Sequence, residues 1–378
     1  MNYPDLHLYT HEFFPTRGGI ATYCHEFANA AAEIGFSTML HAPNTSCAEA
    51  TNLPATYTID RGSHKGNHNL PAIFQSRRKL AANLKNFPGD IHLLAEPGPI
   101  LAYGTLKQSL AQTPKVYITL HGSEIQRWAN HPIGRLLAKR AFSNATGIRA
   151  VSGPIKDGAL ATFPSIEEKL KAVPNALPQA YRTMDCATRK DWLPNEPMEI
   201  LSVGRIHPRK GYDQVIRAIA QLPEETRSRM RYTIAGASKD NKYLKHLHTL
   251  AKTSGVALET ALNLSDIELS SCFRKAQVFA LTSMPYKNSV EGFGLVYLEA
   301  GAHGLPCLAY DTGGVKDAVL HGQTGYLIPQ GDLQKLSQSI LRLFKDPALR
   351  TQLGQQNRQF ALKRTWKDVV TETLLNPS

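Results

Sequence analysis

Residues 6–43 read LHLYTHEFFPTRGGIATYCHEFANAAAEIGFSTMLHAP and contain a complete strand, helix and strand pattern. The apolar run LHLYT precedes the glycine pair Gly18-Gly19, and a helical stripe of apolar side chains follows. The stripe recurs at i, i+3, i+4, i+7, i+8 and i+11, as Ile20, Tyr23, Cys24, Phe27, Ala28 and Ala31. Gly35 then ends the helix, and the last eight residues return as a strand. The stretch therefore predicts a βαβ unit.

The same alternation of strand and helix patterns continues along the chain in two blocks. A polar, proline-containing stretch at 189–199 separates them and predicts a linker. The predicted strands are 6–10, 36–43, 91–96, 116–121, 147–152 and 170–175 before it, and 199–204, 231–236, 278–283 and 306–310 after it. Residues 44–72 are predicted to form a long irregular loop. Alternation on both sides of a break predicts two doubly wound parallel-sheet α/β domains that face each other.

Length and composition agree with two domains of ordinary soluble type. A chain of 378 residues exceeds the size at which a single core stops growing. No apolar run approaches the roughly 18 residues needed to span a bilayer. The first residues, MNYPDLHLYTHEFFP, lack the basic start and unbroken apolar stretch of a signal peptide.

The cysteines indicate the compartment. They are odd in number, form no CxxC pair and are scattered at Cys24, Cys47, Cys186, Cys272 and Cys307. This favours a reducing environment and argues against a structural zinc site. We therefore predict a cytoplasmic protein, with peripheral attachment at the inner face of the membrane as an alternative left open.

The chain is basic, with a formal net charge of +12 spread over both halves. Spread charge is typical of a solvated surface, and it also suits anionic ligands such as nucleotide phosphates, acidic lipids or phosphorylated glycans. Nucleic acid is not expected, because no basic run is interleaved with aromatic residues and no groove-reading motif occurs. Residues 73–87, IFQSRRKLAANLKNF, predict a basic helix that either contacts an anionic membrane or is a packed surface helix.

Two strand-end segments of the second block carry the candidate chemistry. GRIHPRKG (204–211) places Arg205 and Lys210 in a loop after a strand, where they would contact phosphate or simply be surface cations. EGFGLVYLEA then places Glu291 and Glu299 around the start of a helix. A helix N-terminus binds anions, and the two acids would accept hydrogen bonds from hydroxyls on either side of a phosphate. The alternative is one capping glutamate and one buried glutamate satisfied by its neighbours.

These segments, taken together, resemble the retaining GT-B glycosyltransferases of family 4 over nearly the whole chain. The resemblance is carried by FFPTRGGIATYCHEFANAAAEIGF, ITLHGSE, AVSGPIKD, VGRIHPRKG and EGFGLVYLEAGAHGLPCLAYDTGG. It implies two Rossmann-like domains facing across a cleft, an acceptor-side domain at 1–180 and a nucleotide-sugar domain at 181–364. A C-terminal helix at about 365–378, containing Trp366, is implied to cross back onto the first domain.

The resemblance also implies roles in the second domain. Arg205 and Lys210 bind the donor diphosphate and stabilise the leaving group, while Glu291 holds hydroxyls of the donor sugar. Glu299 holds the ribose hydroxyls. The backbone implied to meet sugar and phosphate runs through Gly292, Phe293, Gly294 and Leu295.

In the first domain the resemblance implies that His121 lies beside the donor sugar near the anomeric centre, and that Gly18 and Gly19 approach the phosphate. The chain departs from the family at 174–178, where PNALP replaces the usual Pro-Asn-Gly-Val-Asp of an interdomain turn. Lys287 and Asn288 precede Glu291, where they would tune the choice of sugar.

The function implied is transfer of a hexose-type sugar from a nucleotide diphosphate sugar, UDP- or GDP-linked, to a hydroxyl of a glycan, lipid-linked saccharide or glycolipid. The chain has no DxD acid pair, so we predict catalysis without a metal or other cofactor. Alternatives on the same fold are a nucleotide-sugar epimerase, a glycan phosphorylase or a non-catalytic sensor. A dinucleotide-dependent dehydrogenase is disfavoured because Tyr297 stands where the third glycine of its fingerprint belongs.

Overall fold

The computed structural model describes residues 4–16, 18–45, 55–62, 66, 70–106, 114–183, 196–238, 241–287 and 289–376. Its contacts divide the chain into two compact units, Met1–Pro178 with Thr365–Ser378, and Gln179–Arg364. We call these unit 1 and unit 2. The family resemblance implied divisions after residues 180 and 364. Cys47, Cys186, Asn288 and most of the predicted linker lie outside the described residues.

Unit 1 contains a seven-stranded parallel sheet in the order β3-β2-β1-β4-β5-β6-β7. The strands are β1 (Leu6–Tyr9), β2 (Thr38–Ala42), β3 (Thr58–Arg61), β4 (Ile91–Leu94), β5 (Lys115–Leu120), β6 (Gly147–Ala150) and β7 (Leu170–Ala172). Every residue of β1, β4 and β6 is buried. Burial on both faces is typical of the central strands of a parallel sheet, and the polar residues within these strands, His7, His92 and Arg149, are buried as well.

The helices of unit 1 cover this sheet. They are α1 (Gly19–Glu33), α2 (Leu70–Asn86), α3 (Pro97–Gly104), α4 (Ser123–Ala129), α5 (Pro132–Asn144), α6 (Gly153–Thr162) and, after unit 2, α15 (Trp366–Val370) with a π-helical turn at Thr371–Leu375. Trp366 at the start of α15 packs on Tyr23 of α1, with ring centroids 5.8 Å apart. Lys367 pairs with Glu33, joining the end of the chain to its first helix.

The prediction of an irregular loop over 44–72 is wrong in part. Strand β3 lies inside it and pairs with β2, with Met39 opposite Thr58 and Ala42 opposite Arg61. Helix α2 begins at Leu70, before the predicted loop ends. The pattern was missed because β3 is a short edge strand of sequence TIDR with no buried residue, so it carries no apolar run.

Unit 2 contains a six-stranded parallel sheet in the order β10-β9-β8-β11-β12-β13. The strands are β8 (Met198–Val203), β9 (Met230–Gly236), β10 (Leu258–Leu262), β11 (Val278–Leu281), β12 (Cys307–Tyr310) and β13 (Gly325–Ile328). Its helices are α7 (Gln179–Arg182), α8 (Tyr212–Ala220), α9 (Glu224–Arg227), α10 (Asn241–Thr253), α11 (Asp266–Lys275), α12 (Leu295–Ala302), α13 (Leu333–Lys345) and α14 (Pro347–Lys363). The predicted pair of parallel α/β domains is therefore confirmed.

The strand order reverses once in each sheet, next to the first strand of that sheet. In unit 1 the reversal lies between β1 and β4, and in unit 2 between β8 and β11. Open α/β sheets bind ligands beyond the carboxyl ends of the strands at this reversal. Across the described ranges, no helix is both long and apolar enough to cross a bilayer.

The contact of α3 with α5 gives a test of the packing in unit 1. A Cβ on Gly104 would lie 2.1 Å from the carbonyl oxygen of Leu137. We expect Gly104→Ala to lower the free energy of unfolding by about 1–3 kcal/mol, because the helices must separate. Gly158→Ala in α6 is the matched control, since no atom lies within 4 Å of that Cβ. Urea unfolding followed by circular dichroism measures both, and equal midpoints would contradict the close contact.

Candidate functional site

The loop at 204–211 leaves β8 at the strand reversal of unit 2. A short 3₁₀ turn, Pro208–Lys210, lies within it, and the His207 ring nitrogen Nδ1 accepts the Arg209 backbone N–H at 3.1 Å. The Tyr212 hydroxyl donates to the Arg205 carbonyl at 3.1 Å. The loop therefore has a defined path before α8 begins.

The same loop is held against the segment that follows β11, the neighbouring strand. A Cβ on Gly211 would lie 2.0 Å from the Thr282 carbonyl oxygen, so only glycine allows the two backbones to come this close. The Thr282 hydroxyl donates to the Gly211 carbonyl at 2.7 Å, and the Met284 N–H donates to the Arg209 carbonyl at 2.8 Å. Two strand-end segments are thus joined at the reversal.

Glu291 lies where these segments meet, and one of its carboxylate oxygens collects three donors. Oε2 accepts the Lys210 ammonium at 2.8 Å, the Ser283 hydroxyl at 3.0 Å and the Arg209 guanidinium at 3.3 Å. The side chains of Glu291, Lys210 and Arg209 are only 11%, 12% and 14% exposed. Among the described residues, Oε1 receives no hydrogen bond.

Electrostatics keeps this carboxylate ionised. Burial alone would raise the pKa of Glu291, but the charges of Lys210 and Arg209 outweigh it and lower the pKa to about 2. The cluster thus combines a fixed anion with two cations at the carboxyl ends of β8 and β11. Such a group can bind a phosphate through its cations and a hydroxyl through its remaining carboxylate oxygen.

The glycine pair Gly313-Gly314, which follows β12, contacts the backbone of Glu291. A Cβ on Gly313 would lie 2.2 Å from the Glu291 carbonyl oxygen. The N–H of Gly314 donates to that oxygen at 2.9 Å, and the Thr312 hydroxyl donates to the Ser283 carbonyl at 2.9 Å. The pair therefore fixes the backbone of Glu291, and the close contact at Gly313 requires a residue without a side chain.

Helix α12 begins at this point. Gly294 immediately precedes it, and the Tyr297 hydroxyl ties its first turn to β11 through the Leu281 carbonyl at 2.7 Å. The side chains of Phe293 and Leu295 are buried, and Gly292 is half-buried. The predicted stretch from Gly292 to Leu295 thus joins Glu291 to the helix.

Glu299 lies on α12 beside a residue that the sequence did not single out. The Tyr181 hydroxyl approaches Glu299 Oε2 at 3.4 Å, a long hydrogen bond. Burial raises the pKa of the Glu299 carboxyl to about 7, against the opposing effect of that hydroxyl. Its charge therefore changes near neutral pH. By contrast, the Arg205 side chain is exposed and forms no ion pair within the described part of unit 2.

The remaining predicted residues lie in unit 1. His121 follows β5, and its ring nitrogen Nε2 lies 2.8 Å from the Ala95 carbonyl oxygen. A carbonyl only accepts, so Nε2 carries the hydrogen and Nδ1 is left with its lone pair. Glu124 Oε1 accepts the backbone N–H groups of His121 and Gly122, fixing the turn. Burial lowers the pKa of His121 despite the charge of Glu124, so the ring is neutral.

Gly18 and Gly19 lie at the start of α1, and no atom comes within 4 Å of a Cβ built on either. Packing therefore does not explain these two glycines. The structure thus brings together Lys210, Glu291 and the 292–295 stretch in unit 2. His121 and the two glycines lie in unit 1.

Arg209, Ser283, Tyr181 and Glu124 are the partners that sequence reasoning missed. Arg209 lies in the motif GRIHPRKG, and Ser283 is the last residue of a predicted strand. Spacing along the chain does not determine that these two side chains contact Glu291. In the described part of the chain, no three His, Cys, Asp or Glu side chains are placed to hold a metal ion.

Comparison with known families matches the chain in two consecutive segments. The model described as Glycosyltransferase Family 4 matches residues 17–179, and the model described as Glycosyl transferases group 1 matches residues 187–360. These ranges correspond to unit 1 and unit 2 and together cover most of the chain.

Curated relatives extend over nearly the full length. A GDP-mannose-dependent alpha-(1-6)-phosphatidylinositol monomannoside mannosyltransferase of Mycolicibacterium smegmatis is 27% identical, covering 94% of this chain and 93% of that protein. A GDP-mannose-dependent monoacylated alpha-(1-6)-phosphatidylinositol monomannoside mannosyltransferase of Corynebacterium glutamicum is 25% identical, covering 97% and 96%.

Solved structures show the fold. A sucrose-phosphate synthase from Thermosynechococcus elongatus superposes with a TM-score of 0.76 at 18% identity, covering 98% of this chain and 97% of that one. Anabaena HepE in complex with UDP-glucose gives 0.75 at 17% identity, covering 99% of both chains. The predicted GT-B fold with two Rossmann-like domains is thereby confirmed. The chain is a glycosyltransferase and belongs to family 4, the group 1 glycosyltransferases.

Proposed function

We propose that the chain transfers a hexose-type sugar, with retention and without a metal, from a nucleotide diphosphate sugar to a hydroxyl acceptor. One observation carries the proposal most directly. Lys210 and Arg209 converge on Glu291 at the strand reversal of unit 2, the place where open α/β sheets bind ligands. The cluster offers cations for a diphosphate and a carboxylate oxygen for a sugar hydroxyl.

The parts of the donor are assigned to separate groups. Lys210, with Arg205, takes the diphosphate, helped by the N–H groups at the start of α12. Glu291 accepts hydroxyls of the sugar through Oε1. Glu299 accepts the ribose hydroxyls, as the family resemblance implies. His121, Gly18 and Gly19 retain the roles that the resemblance gives them, as predictions.

The reaction needs charge stabilisation on the leaving group. In the proposed front-face reaction the bond between the sugar anomeric carbon and the diphosphate oxygen breaks, and a bond to the acceptor oxygen forms on the same face. The acceptor proton passes to the departing phosphate oxygen. Lys210 and Arg205 would stabilise the charge that develops there. Glu291 is paired with two cations, which suits binding rather than nucleophilic attack.

GDP-mannose is the first donor to test, because the two relatives described above are named for it. UDP-glucose is the second, because Anabaena HepE binds it. The same relatives act on phosphatidylinositol mannosides, which favours a lipid-linked acceptor here. An epimerase would convert the donor without an acceptor, so product analysis with donor alone separates that alternative.

A lipid acceptor directs attention to α2. Leu80 and Leu84 are buried against unit 1, whereas Phe74 is 50% exposed. Arg78 is positioned over the Phe74 ring, 4.7 Å from its centroid. The helix therefore packs on one side and presents an aromatic ring with a cation on the other, a combination that suits an anionic membrane surface.

Helix α5 adds a second surface of the same kind. Ile133 and Leu136 are 65% and 50% exposed, and the exposed cations Arg135, Lys139 and Arg140 lie on the same helix. Helix α3 packs against both α2 and α5, so the two basic surfaces belong to one helical layer. We include α2 and α5 in the proposed peripheral contact with anionic lipid.

The donor assignment is tested by Lys210→Met. We expect its affinity for GDP-mannose, or for UDP-glucose if that is the donor, to fall by about 100-fold or more, because the nearest buried cation is removed. Calorimetry in the presence of EDTA measures this, with Lys345→Met, an exposed lysine of α13, as the matched control. Unchanged affinity in Lys210→Met, or binding by the wild type only with a divalent cation, would contradict the proposal.

The ribose assignment predicts a pH dependence. The folded pKa of Glu299 is raised to about 7, so its carboxylate form is lost as the pH falls through 7. Since the carboxylate is a stronger acceptor for the ribose hydroxyls than the protonated carboxyl, GDP affinity should fall below that point, by at most about tenfold per pH unit. Protonation of GDP itself changes its affinity for Glu299→Gln as well. The difference between the pH profiles of the two proteins therefore isolates the contribution of the Glu299 side chain. Identical pH profiles would exclude Glu299 from nucleotide binding.

The membrane contact is tested by reversing two cations of α2. We expect Arg77→Glu with Arg78→Glu to weaken binding to phosphatidylglycerol vesicles by about 30-fold or more, at about 1 kcal/mol for each cation removed. Reversal of the exposed Lys245 and Lys252 on α10 is the charge-matched control. Vesicle sedimentation measures both. An equal loss in both variants would mean that net charge alone, and not this helix, drives binding.

A further inference from the structure

Glu291 has more cationic partners than an ion pair requires. Lys210 at 2.8 Å would by itself neutralise the carboxylate, yet Arg209 also reaches the same oxygen at 3.3 Å. Both cations and the anion are largely buried. Buried charges are costly, so a second buried cation on one carboxylate oxygen requires an explanation.

The two cations differ in how firmly they are held. The Arg209 guanidinium also donates to the Val290 carbonyl at 3.2 Å. The backbone of Arg209 is fixed on both sides, its N–H by the His207 ring at 3.1 Å and its carbonyl by the Met284 N–H at 2.8 Å. Among the described residues, the Lys210 ammonium is bound only to Glu291, on a flexible stem that lets it turn to another anion.

If Lys210 bound a diphosphate, Glu291 would lose its nearest cationic partner. A buried carboxylate that loses its cation is strongly destabilised and becomes protonated or moves. Arg209 and Ser283, which also donate to Oε2, would remain there and prevent this. Oε1 stays open to a hydroxyl.

We propose that Arg209 is a positioning residue that keeps the Glu291 carboxylate in place for the donor sugar while Lys210 binds the diphosphate. This inference rests on the proposed function and assigns different roles to the adjacent cations Arg209 and Lys210. Lys210 contacts the substrate directly. Arg209 acts only through Glu291.

A double-mutant cycle tests this division. Arg209→Met, Glu291→Gln and the double variant are titrated by calorimetry with GDP-mannose or UDP-glucose, whichever the wild type binds. We expect Arg209→Met to weaken binding at least tenfold in the wild-type background and less than threefold in the Glu291→Gln background, because Arg209 has nothing left to position. Arg217→Met on the exposed surface of α8 is the matched control.

Proton uptake on binding distinguishes the positioning role of Arg209 from a merely structural role, which would leave it unchanged. In Arg209→Met, binding of the nucleotide diphosphate would draw Lys210 from Glu291, so the carboxylate takes up a proton. Titrations in buffers of different ionisation enthalpy should therefore show up to one proton more taken up than in the wild type. If Arg209→Met does not fold, Arg209→Gln enters the same cycle, since it removes the charge and keeps a donor for Val290.

The outcomes separate the two proposals. If the wild type binds none of GDP, GDP-mannose, UDP and UDP-glucose, the proposed function fails. If the wild type binds a donor but the effects of Arg209 and Glu291 substitutions add, or the proton count stays unchanged, the positioning role alone fails. Strong coupling with extra proton uptake supports both.

Discussion

The ion pair between Lys210 and Glu291 is the interaction on which the rest of the site depends. It joins the loop after β8 to the segment after β11, the two strands that flank the reversal in the sheet of unit 2. The carboxylate and the ammonium lie 2.8 Å apart in a buried place, where either charge alone would carry a large desolvation cost. A ligand with a diphosphate next to a hydroxyl-bearing sugar satisfies both charges at once.

The surrounding backbone keeps this pair in register. Gly211 and Gly313 stand where any side chain would overlap a carbonyl oxygen, of Thr282 in one case and of Glu291 in the other. These close contacts explain why both positions are occupied by glycine. Helix α12 then extends from the same point and carries Glu299, whose raised pKa makes its proposed binding role sensitive to pH.

The sequence predicted the parts of the site that follow from period and motif. Alternating patterns located the two parallel sheets, and the motifs singled out Lys210, Glu291 and Glu299 as candidates. Strand β3 escaped because an exposed edge strand has no apolar run. Arg209, Ser283 and Tyr181 escaped because their importance depends on which side chains meet in space, and spacing along the chain does not determine that. The open space around Gly18 and Gly19 likewise became visible only in three dimensions.

The structure of the wild-type protein with its bound nucleotide sugar would show which groups of the donor Lys210 and Glu291 bind. We expect the diphosphate on Lys210, a sugar hydroxyl on Glu291 Oε1, and Arg209 still on Oε2. A donor whose diphosphate lies away from Lys210, or whose sugar makes no contact with Glu291, would contradict it.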